Sequence, residues 1–215
     1  MIAAKNLAKL GLLETSKTAF LACDIQETFR KSMSNFDNLI KVSNRMSAAA
    51  GILNVPLYIS EQYPRGLGPT SPALDKGPAV LVYEKTQFSM VTPTLLDDLR
   101  KRFPNKLGAV VLFGLETHVC VEQTAMDLLS QDIAVHILAD GCISRSQGDR
   151  VIALQRLRDI GCHITTSESV LFKLMKDKNH PNFKEISKLV REQIPDSLGM
   201  DSPSISKLVF TARSQ

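Results

Sequence analysis

The sequence predicts a three-layer α/β/α fold built on a six-stranded, mainly parallel sheet. Six short apolar segments rich in β-branched residues recur along the 215 residues and alternate with segments of helical periodicity. Several of them, most clearly residues 109–113, are apolar on both faces, as expected for strands inside a parallel sheet. The connections between these segments are mostly short. Together these observations imply right-handed βαβ units with helices on both faces of the sheet.

Each element has recognisable bounds. The predicted strands are residues 19–23, 56–60, 79–83, 109–113, 134–139 and 163–165. Asn35 is a candidate cap for the first helix, and Pro93 lies in the first turn of the second, where proline is preferred. The predicted helices are about 37–53, 93–103, 119–130, 147–160, 169–176 and 183–193.

The chain length favours one domain, over residues 12–195. The exception to short connections is the segment 61–78, which is rich in glycine and proline and is long enough for a functional lid. Residues 196–215 are rich in serine and lack periodicity. They are predicted to be a flexible or subunit-contact tail.

Composition narrows the class of protein. A hydrophobic content of 44% argues against disorder, and a net charge of +4 is too weak for a nucleic-acid surface. The chain has four cysteines and no C-x-x-C pair, which favours reduced thiols and a cytoplasmic location over a disulfide-built secreted module. No apolar run approaches the length of a membrane span, so neither a membrane nor a nucleic acid is expected as a partner.

Ligand sites in such folds lie at the carboxyl ends of the strands, so polar residues that follow strands are the candidates. Asp24 follows the first strand, Lys85 follows the third, and Cys120 opens the helix after the fourth; Asp140 is predicted to end the fifth. Cysteine attacks as the thiolate, which a nearby cation and a helix N-terminus both favour. Taken singly, each residue is as readily a packed thiol, a turn former or a surface charge.

The residues resemble a known family. Asp24-Ile25-Gln26, Lys85 and the stretch Gly114-x-x-Thr117-x-x-Cys120-Val121 resemble the Asp–Lys–Cys triad of isochorismatase-like cysteine hydrolases, the group that includes nicotinamidases. Residues 61–68 (EQYPRGLG), 85–90 (KTQFSM) and 180–186 (HPNFKEI) resemble the animal isochorismatase domain-containing proteins. The resemblance covers residues 15–195 in the right order and implies a Rossmann-like α/β/α fold and a homo-oligomer.

The resemblance also implies roles for particular residues. Cys120 would be the nucleophile, Asp24 the general base and acid, and Lys85 the cation that favours the thiolate. Backbone N–H groups of Glu116 and Cys120 would form the oxyanion hole, the first of them aimed by a cis peptide between Leu115 and Glu116. Further residues are predicted to line a substrate pocket. These are Gln26, Tyr63, Phe88, His118 and Val119.

Two departures from the family pattern limit the substrate class. Nicotinamidases that use a metal have an Asp-x-His pair where this chain has Glu61-Gln62-Tyr63, and a lone carboxylate is a poor transition-metal site. The prediction is therefore that no metal or other cofactor takes part. Isochorismatases that cleave an enol ether often lack the cysteine, so Cys120 favours acyl chemistry on a small amide through a thioester.

Three alternatives remain open from the sequence. The chain could keep the fold and its pocket as a non-catalytic interaction protein, or it could be a nicotinamidase-like amidase. A nucleolytic role is the third alternative, against which the weak net charge and the lack of an aromatic stacking platform both argue.

Overall fold

The computed structural model describes residues 10–192. Six strands form one sheet in the order β3-β2-β1-β4-β5-β6, and every neighbouring pair is parallel. This confirms the predicted fold class and shows that the sheet is parallel throughout. The strands are β1 (Thr18–Cys23), β2 (Leu57–Gln62), β3 (Ala79–Lys85), β4 (Ala109–Leu115), β5 (Ala134–Ile143) and β6 (His163–Thr165). The predicted tail, 196–215, lies outside the described residues.

Seven α-helices flank the sheet in the described range. They are α1 (Phe36–Leu53), α2 (Pro64–Leu67), α3 (Pro93–Arg102), α4 (Glu122–Ser130), α5 (Gln147–Asp159), α6 (Ser167–Met175) and α7 (Phe183–Arg191). Helix α1 packs with α6 and α7 on one face, and α4 packs beside α5 on the other, which gives three layers. Every residue of β1 and of β4 is buried, because these two central strands are covered on both sides.

The chain order reverses at the centre of the sheet. The chain runs from β1 outward to β2 and β3, and then crosses back to β4 on the other side of β1. The loops that follow β1 and β4 therefore leave the sheet in opposite directions. In α/β folds, ligands bind at the crevice that such a reversal of strand order creates. The predicted site residues Asp24 and Cys120 belong to the two segments that leave this point.

Two helix starts illustrate how local sequence fixes the elements. Thr92 caps α3 by accepting a hydrogen bond from the Leu95 N–H at 3.3 Å, and Pro93 occupies the first turn as predicted. Asn35 precedes α1, but its backbone is left-handed (φ 67°) and its side chain makes no capping bond. Asn35 therefore occupies the predicted cap position but does not cap the helix through its side chain.

The prediction that Asp140 ends a strand was wrong, because β5 continues to Ile143. The Asp140 carboxylate instead accepts hydrogen bonds from the N–H and hydroxyl of Ser167, at 2.9 and 2.6 Å, and so holds the start of α6. Burial raises the pKa of Asp140, and these hydrogen bonds oppose that rise. The prediction failed because it placed the end of the fifth strand at Asp140, whereas the strand continues for three more residues.

The long connection 61–78 is largely ordered by local contacts. Its first two residues extend β2, and Pro64–Leu67 form the short helix α2. Thr70 then pairs with Gln26 in an isolated antiparallel bridge, which fixes the connection against the segment after β1. Within residues 10–192, no helix combines the length and the apolar character needed to cross a membrane.

Candidate functional site

The carboxyl ends of three strands bring together one carboxylate, one ammonium group and two thiols. Asp24 follows β1, Lys85 is the last residue of β3, and Cys120 lies in a π-helical turn (Thr117–Val121) after β4. The Sγ atoms of Cys23 and Cys120 and a carboxylate oxygen of Asp24 all lie within 4.8 Å of one another. The Lys85 side chain reaches across the end of β2, so that its Nζ lies 2.7 Å from Asp24 Oδ2. The structure thus places the three predicted triad residues in one cluster.

The cluster is almost completely enclosed. The exposed fractions of Asp24, Lys85 and Cys120 are 1%, 4% and 7%, so Cys120 is the most accessible of the three. A buried ion pair is costly unless both charges are well satisfied by hydrogen bonds. The surroundings of Asp24 and Lys85 supply those bonds.

The carboxylate of Asp24 is held from both sides. Ser60 donates its hydroxyl to Oδ1 at 2.6 Å, and the Asp24 N–H donates to the same Ser60 oxygen at 3.3 Å. Oδ2 accepts from Lys85 and, at 3.6 Å, from the thiol of Cys23. Asp24 has a φ of 51°, a left-handed conformation that costs energy for a residue other than glycine. The carboxylate is therefore fixed in position.

The ammonium group of Lys85 has four acceptors. Besides Asp24, these are Gln62 Oε1 at 2.6 Å and the backbone oxygens of Phe88 and Gln87 at 2.8 and 3.2 Å. Burial acts to lower the pKa of Lys85, but the nearby Cys23, Asp24 and Cys120 outweigh it, and the pKa is raised. Lys85 is thus a fixed positive charge beside the thiols, and such a charge favours a thiolate.

The turn that carries Cys120 is held by backbone contacts. The Leu115–Glu116 peptide is cis. The Glu116 carbonyl accepts from the N–H groups of Val119 and Val121, at 3.0 and 3.2 Å. The Thr124 hydroxyl donates to the Cys120 carbonyl at 2.6 Å and accepts from the Met90 N–H at 2.8 Å. The turn runs directly into α4, so Cys120 lies next to a helix N-terminus.

Glu116 and Cys120, the predicted oxyanion donors, lie at opposite ends of this turn. The Glu116 side chain accepts a hydrogen bond from the Arg145 N–H at 3.0 Å and forms a 3.5 Å ion pair with the Arg145 guanidinium. Its carboxylate is thereby held by the segment after β5. The assignment of the two backbone N–H groups to an oxyanion hole stays a prediction.

Gln26 is bonded within the strand ends, and its predicted place in a substrate pocket stays a prediction. It is fully buried, and its amide nitrogen donates to the carbonyls of Gln62 and Gly68, at 2.9 and 2.6 Å. Its amide oxygen accepts from the Gln62 N–H at 2.7 Å. The side chain therefore joins the end of β2 to the connection that follows.

The other predicted pocket residues divide into two kinds. Tyr63 and Phe88 are about half exposed, at 53% and 51%, and follow strands β2 and β3 in the chain. His118 contacts the Ser144 hydroxyl through Nδ1 at 3.0 Å, and Val119 is partly buried against the core. None of these contacts tests a role in substrate binding, which stays a prediction.

The Glu61 position has no metal-binding geometry. One carboxylate oxygen of Glu61 accepts from both the N–H and the hydroxyl of Thr70, at 2.7 and 2.6 Å, and so holds the connection after β2. Across residues 10–192, the side chains close enough to share a metal ion are those of Cys23, Asp24 and Cys120. The Lys85 ammonium group, 2.7 Å from Asp24, opposes a second cation there.

Sequence reasoning missed the residues that orient the triad. Ser60 and Gln62 follow the apolar run of β2, so the same search for polar residues at strand ends would have found them. Cys23 was passed over because it completes a strand in which every residue is buried. Thr124 lies in the stretch Gln123-Thr124-Ala125, which also resembles the family, but its contacts with the Cys120 carbonyl and the Met90 N–H are visible only in the structure.

The fold and this cluster define a class of protein: a three-layer parallel α/β protein of hydrolase type, with its polar cluster at the carboxyl ends of the central strands. The model of the isochorismatase domain matches residues 18–169. The chain therefore belongs to the isochorismatase family.

Similar proteins agree with this assignment. The chain is 47% identical to isochorismatase domain-containing protein 1 of Danio rerio over 192 residues, which cover 89% of this chain and 67% of the relative. It is 46% identical to isochorismatase domain-containing protein 2 of Xenopus laevis, with 92% and 93% covered. The solved structure of the MAR1 ribonuclease from Caenorhabditis elegans superposes with a TM-score of 0.81 at 39% identity and covers 86% of this chain and 95% of that one.

Proposed function

We propose that this protein is a metal-independent cysteine hydrolase that cleaves a small amide or a related carbon–nitrogen bond through a thioester. The buried cluster of Asp24, Lys85 and Cys120 carries the proposal, because a thiol beside a fixed ammonium group and a carboxylate has the parts that nucleophilic catalysis requires. Family membership supports a hydrolase, and the cysteine chemistry and the substrate class are our inference.

The first half of the reaction forms the thioester. Asp24 takes the proton of Cys120, and the thiolate attacks the amide carbon, so that an S–C bond forms and the carbonyl oxygen becomes an oxyanion. The N–H groups of Glu116 and Cys120 would stabilise that charge. The C–N bond then breaks, and the nitrogen leaves with the proton held by Asp24.

The second half releases the acid. Water donates a proton to Asp24 and attacks the thioester carbon, and the C–S bond breaks as the carboxylic acid leaves. The Cys120 thiolate then takes the proton back from Asp24, which restores the starting state. Because Asp24 carries a proton in turn from the thiol and from water, a fixed orientation of its carboxylate is required. The bonds from Ser60 and Lys85 supply that orientation.

The enclosure of the cluster favours a small substrate. Cys120 is 7% exposed, so only a small part of its side chain is open to an approaching acyl group. A long polymer could present only a chain end or a displaced group to such a site. Substrate size is therefore part of the proposal.

The experiment compares native protein with the Cys120→Ala and Cys142→Ala variants on a panel of small amides that includes nicotinamide. Cys142 is a matched control, because it is a fully buried thiol on the neighbouring strand β5. Turnover should fall at least about 10³-fold in Cys120→Ala and stay near native in Cys142→Ala. Full turnover by Cys120→Ala would show that the nucleophile is assigned wrongly.

The same panel addresses two alternatives. A chelator should leave turnover unchanged, and loss of nicotinamide hydrolysis on chelation would favour a nicotinamidase that uses a metal. A non-catalytic interaction protein would turn over no amide, and its Cys120 would react with iodoacetamide no faster than the fully buried Cys23. Fast and selective alkylation of Cys120 would contradict that alternative.

A ribonuclease is the second candidate function, because the similar protein from Caenorhabditis elegans is described as one. The basic run Arg100-Lys101-Arg102 gives it little support, because Arg100 and Arg102 pair with Asp97 and Asp98 of the same helix. Incubation of labelled RNA with native and Cys120→Ala protein tests this candidate. RNA cleavage that requires Cys120 would replace the amidase proposal, and absence of cleavage by either protein would exclude the candidate.

We also propose a cytoplasmic location. All four cysteines are free thiols and buried, which suits a reducing compartment. Cell fractionation with an antibody to the protein tests this location. Recovery of the protein in a secreted fraction would contradict it.

A further inference from the structure

We propose that Cys23 and Cys120 form a reversible disulfide when a small peroxide oxidises the site. Cys23 has no part in the hydrolysis described above, yet its Sγ lies within 4.8 Å of Cys120 Sγ. The bond requires two thiols and the neighbouring carboxylate, so the inference holds whether or not the chain hydrolyses an amide.

The positions of the two thiols suit a disulfide. A disulfide holds its sulfur atoms about 2.05 Å apart, so the present separation must close by at most about 3 Å. Cys23 ends β1 and is paired in register with Gly114 of β4, and Cys120 lies in the turn that follows β4. Both thiols therefore lie near adjacent strand ends, and the proposed bond forms as the two side chains turn towards each other.

Cys120 is the thiol that meets the peroxide first. It is 7% exposed, whereas Cys23 is fully buried. Cys120 also lies beside the N-terminus of α4 and near the Lys85 ammonium group, two features that favour attack by a thiolate. Cys23 is the resolving thiol. Burial, and then contact with Cys120 and the charge of Asp24, raise the pKa of Cys23 well above its usual value, so it keeps its proton until a base is available.

Asp24 is that base. Its Oδ2 lies 3.6 Å from Cys23 Sγ and can receive the thiol proton of either cysteine in turn. In the first step the Cys120 thiolate attacks one peroxide oxygen, the O–O bond breaks, and the departing hydroxide takes the proton from Asp24 to form water. The sulfur is oxidised to a sulfenic acid and the peroxide is reduced.

In the second step Cys23 gives its proton to Asp24, and its thiolate attacks the sulfur of the sulfenic acid. The S–S bond forms, the S–O bond breaks, and the leaving hydroxide takes the proton from Asp24 as a second molecule of water. In total, two thiols and one hydrogen peroxide give one disulfide and two waters. The nucleophilic sulfur is then capped, and an added dithiol restores it.

The direct test is peptide mapping of native protein treated with hydrogen peroxide and then alkylated. Trypsin releases Cys23 in residues 18–30, but Cys120 and Cys142 share the peptide 107–145. A second protease that cleaves after Glu122 separates those two cysteines. Because this protease also cleaves after Glu27 and Glu116, we expect residues 18–27 linked to residues 117–122, with an intact mass lower by two hydrogens and recovery of both thiols on reduction.

Cys142 serves as the internal control. It is fully buried, and it pairs in register with Gly114 from the opposite side, so it is two strand spacings, about 10 Å, from Cys23. Linkage of Cys23 to Cys142, stable sulfinic or sulfonic acid at Cys120 with Cys23 still free, or no oxidation at all would each overturn the proposal.

Variants give a second and independent measurement. Without the resolving thiol, Cys23→Ala should accumulate sulfinic acid at Cys120, which a dithiol does not reduce. Cys142→Ala should form the same Cys23–Cys120 linkage as native protein. Identical oxidation products in native and Cys23→Ala protein would overturn the proposal. If Cys23→Ala does not fold, as circular dichroism would show, the map of native protein decides the question alone.

Discussion

Ser60 is bonded to Asp24, the proposed general base, and would act on the proposed reaction only through it. Its hydroxyl donates to Asp24 Oδ1 at 2.6 Å and accepts from the Asp24 N–H. Because Asp24 has a left-handed backbone and is almost fully buried, small changes in these bonds alter where the carboxylate points. Under the proposed function, Ser60 would therefore be a positioning residue.

We expect Ser60→Ala to lower kcat, or the rate of Cys120 alkylation, by about tenfold to a hundredfold, with little change in KM. Ser47→Ala is the matched control, because Ser47 is also fully buried and donates to the Asp75 carbonyl at 2.6 Å, on α1. Both variants should lose about 1 kcal/mol of unfolding free energy. Equal rates in the two variants would show that Ser60 has a structural role only.

His136 is a buried titratable group outside the site. It is fully buried in β5, neither ring nitrogen has a hydrogen-bond partner in the described structure, and its ring stacks on that of His163 with centroids 4.7 Å apart. Burial, then the charges of His163 and Lys173, lower the pKa of His136 to about 3. The folded protein therefore keeps this imidazole neutral where the unfolded chain would protonate it.

The resulting pH dependence has a definite sign. Above the unfolded pKa of about 6.5 both states are neutral at this residue, and its full contribution to stability is present. As the pH falls from about 6.5 towards 3, only the unfolded chain gains a proton, and stability falls by up to about 1.4 kcal/mol per pH unit. His136→Phe should reduce the fall in unfolding free energy between pH 7 and about 4.5, as measured by denaturant unfolding at a series of pH values. If the unfolding free energies of native and variant protein fall equally with pH, this prediction is contradicted.

At the scale of the elements, the approach of β1 to β4 places the two segments of the site. Gly114 lies opposite Cys23 with a φ of 125°, and a Cβ added there would lie 2.2 Å from the Cys23 carbonyl oxygen and 2.9 Å from the carbonyl carbon. These neighbours are backbone atoms of a buried strand, so they cannot move aside as a flexible side chain does. Glycine is thus required where the strands bring Asp24 and Cys120 together.

We expect Gly114→Ala to destabilise the fold by about 3 kcal/mol or more, because strain at positive φ and overpacking of the backbone both contribute. Gly148→Ala is the contrasting variant, because Gly148 lies in α5 and its added Cβ would meet the Ser146 hydroxyl at 3.4 Å. That variant should be stabilised, by up to about 1 kcal/mol. Thermal and denaturant unfolding measure the stability of both variants. If Gly114→Ala is as stable as Gly148→Ala, this account of Gly114 is wrong.

At the scale of the whole molecule, the second helical layer leaves apolar side chains exposed. Met126 of α4 and Ile152 of α5 are 50% and 59% exposed, and Ile160 follows α5 with 47% exposed. Isolated exposed apolar residues are ordinary, but large exposed apolar side chains on adjacent helices are typical of surfaces that another protein covers. In the homo-oligomer expected from the family resemblance, this surface would be buried between subunits.

We therefore expect native protein to elute as a homo-oligomer, with its mass measured by light scattering. Ile152→Arg should shift the distribution to smaller species, because a desolvated charge at an interface costs several kcal/mol. Thr94→Arg, at an exposed position of α3, should leave the mass unchanged. A native monomer would contradict the expected oligomer, and equal masses for native protein and Ile152→Arg would place the interface elsewhere.

The sequence by itself determined the alternation of strands and helices, the parallel sheet and the three residues that the structure brings to one cluster. Local rules suffice for the strands and helices, because burial on both faces demands continuous apolar strands. The rule for strand ends selected Asp140 as well, and the family resemblance singled out Asp24, Lys85 and Cys120. Tertiary structure decided the rest. Four features depend on contacts between segments that are distant in the chain. They are the extension of β5 past Asp140, the burial of Gln26, the bonds from Ser60 and Gln62, and the proximity of Cys23 to Cys120. No periodicity or spacing within one segment records such contacts.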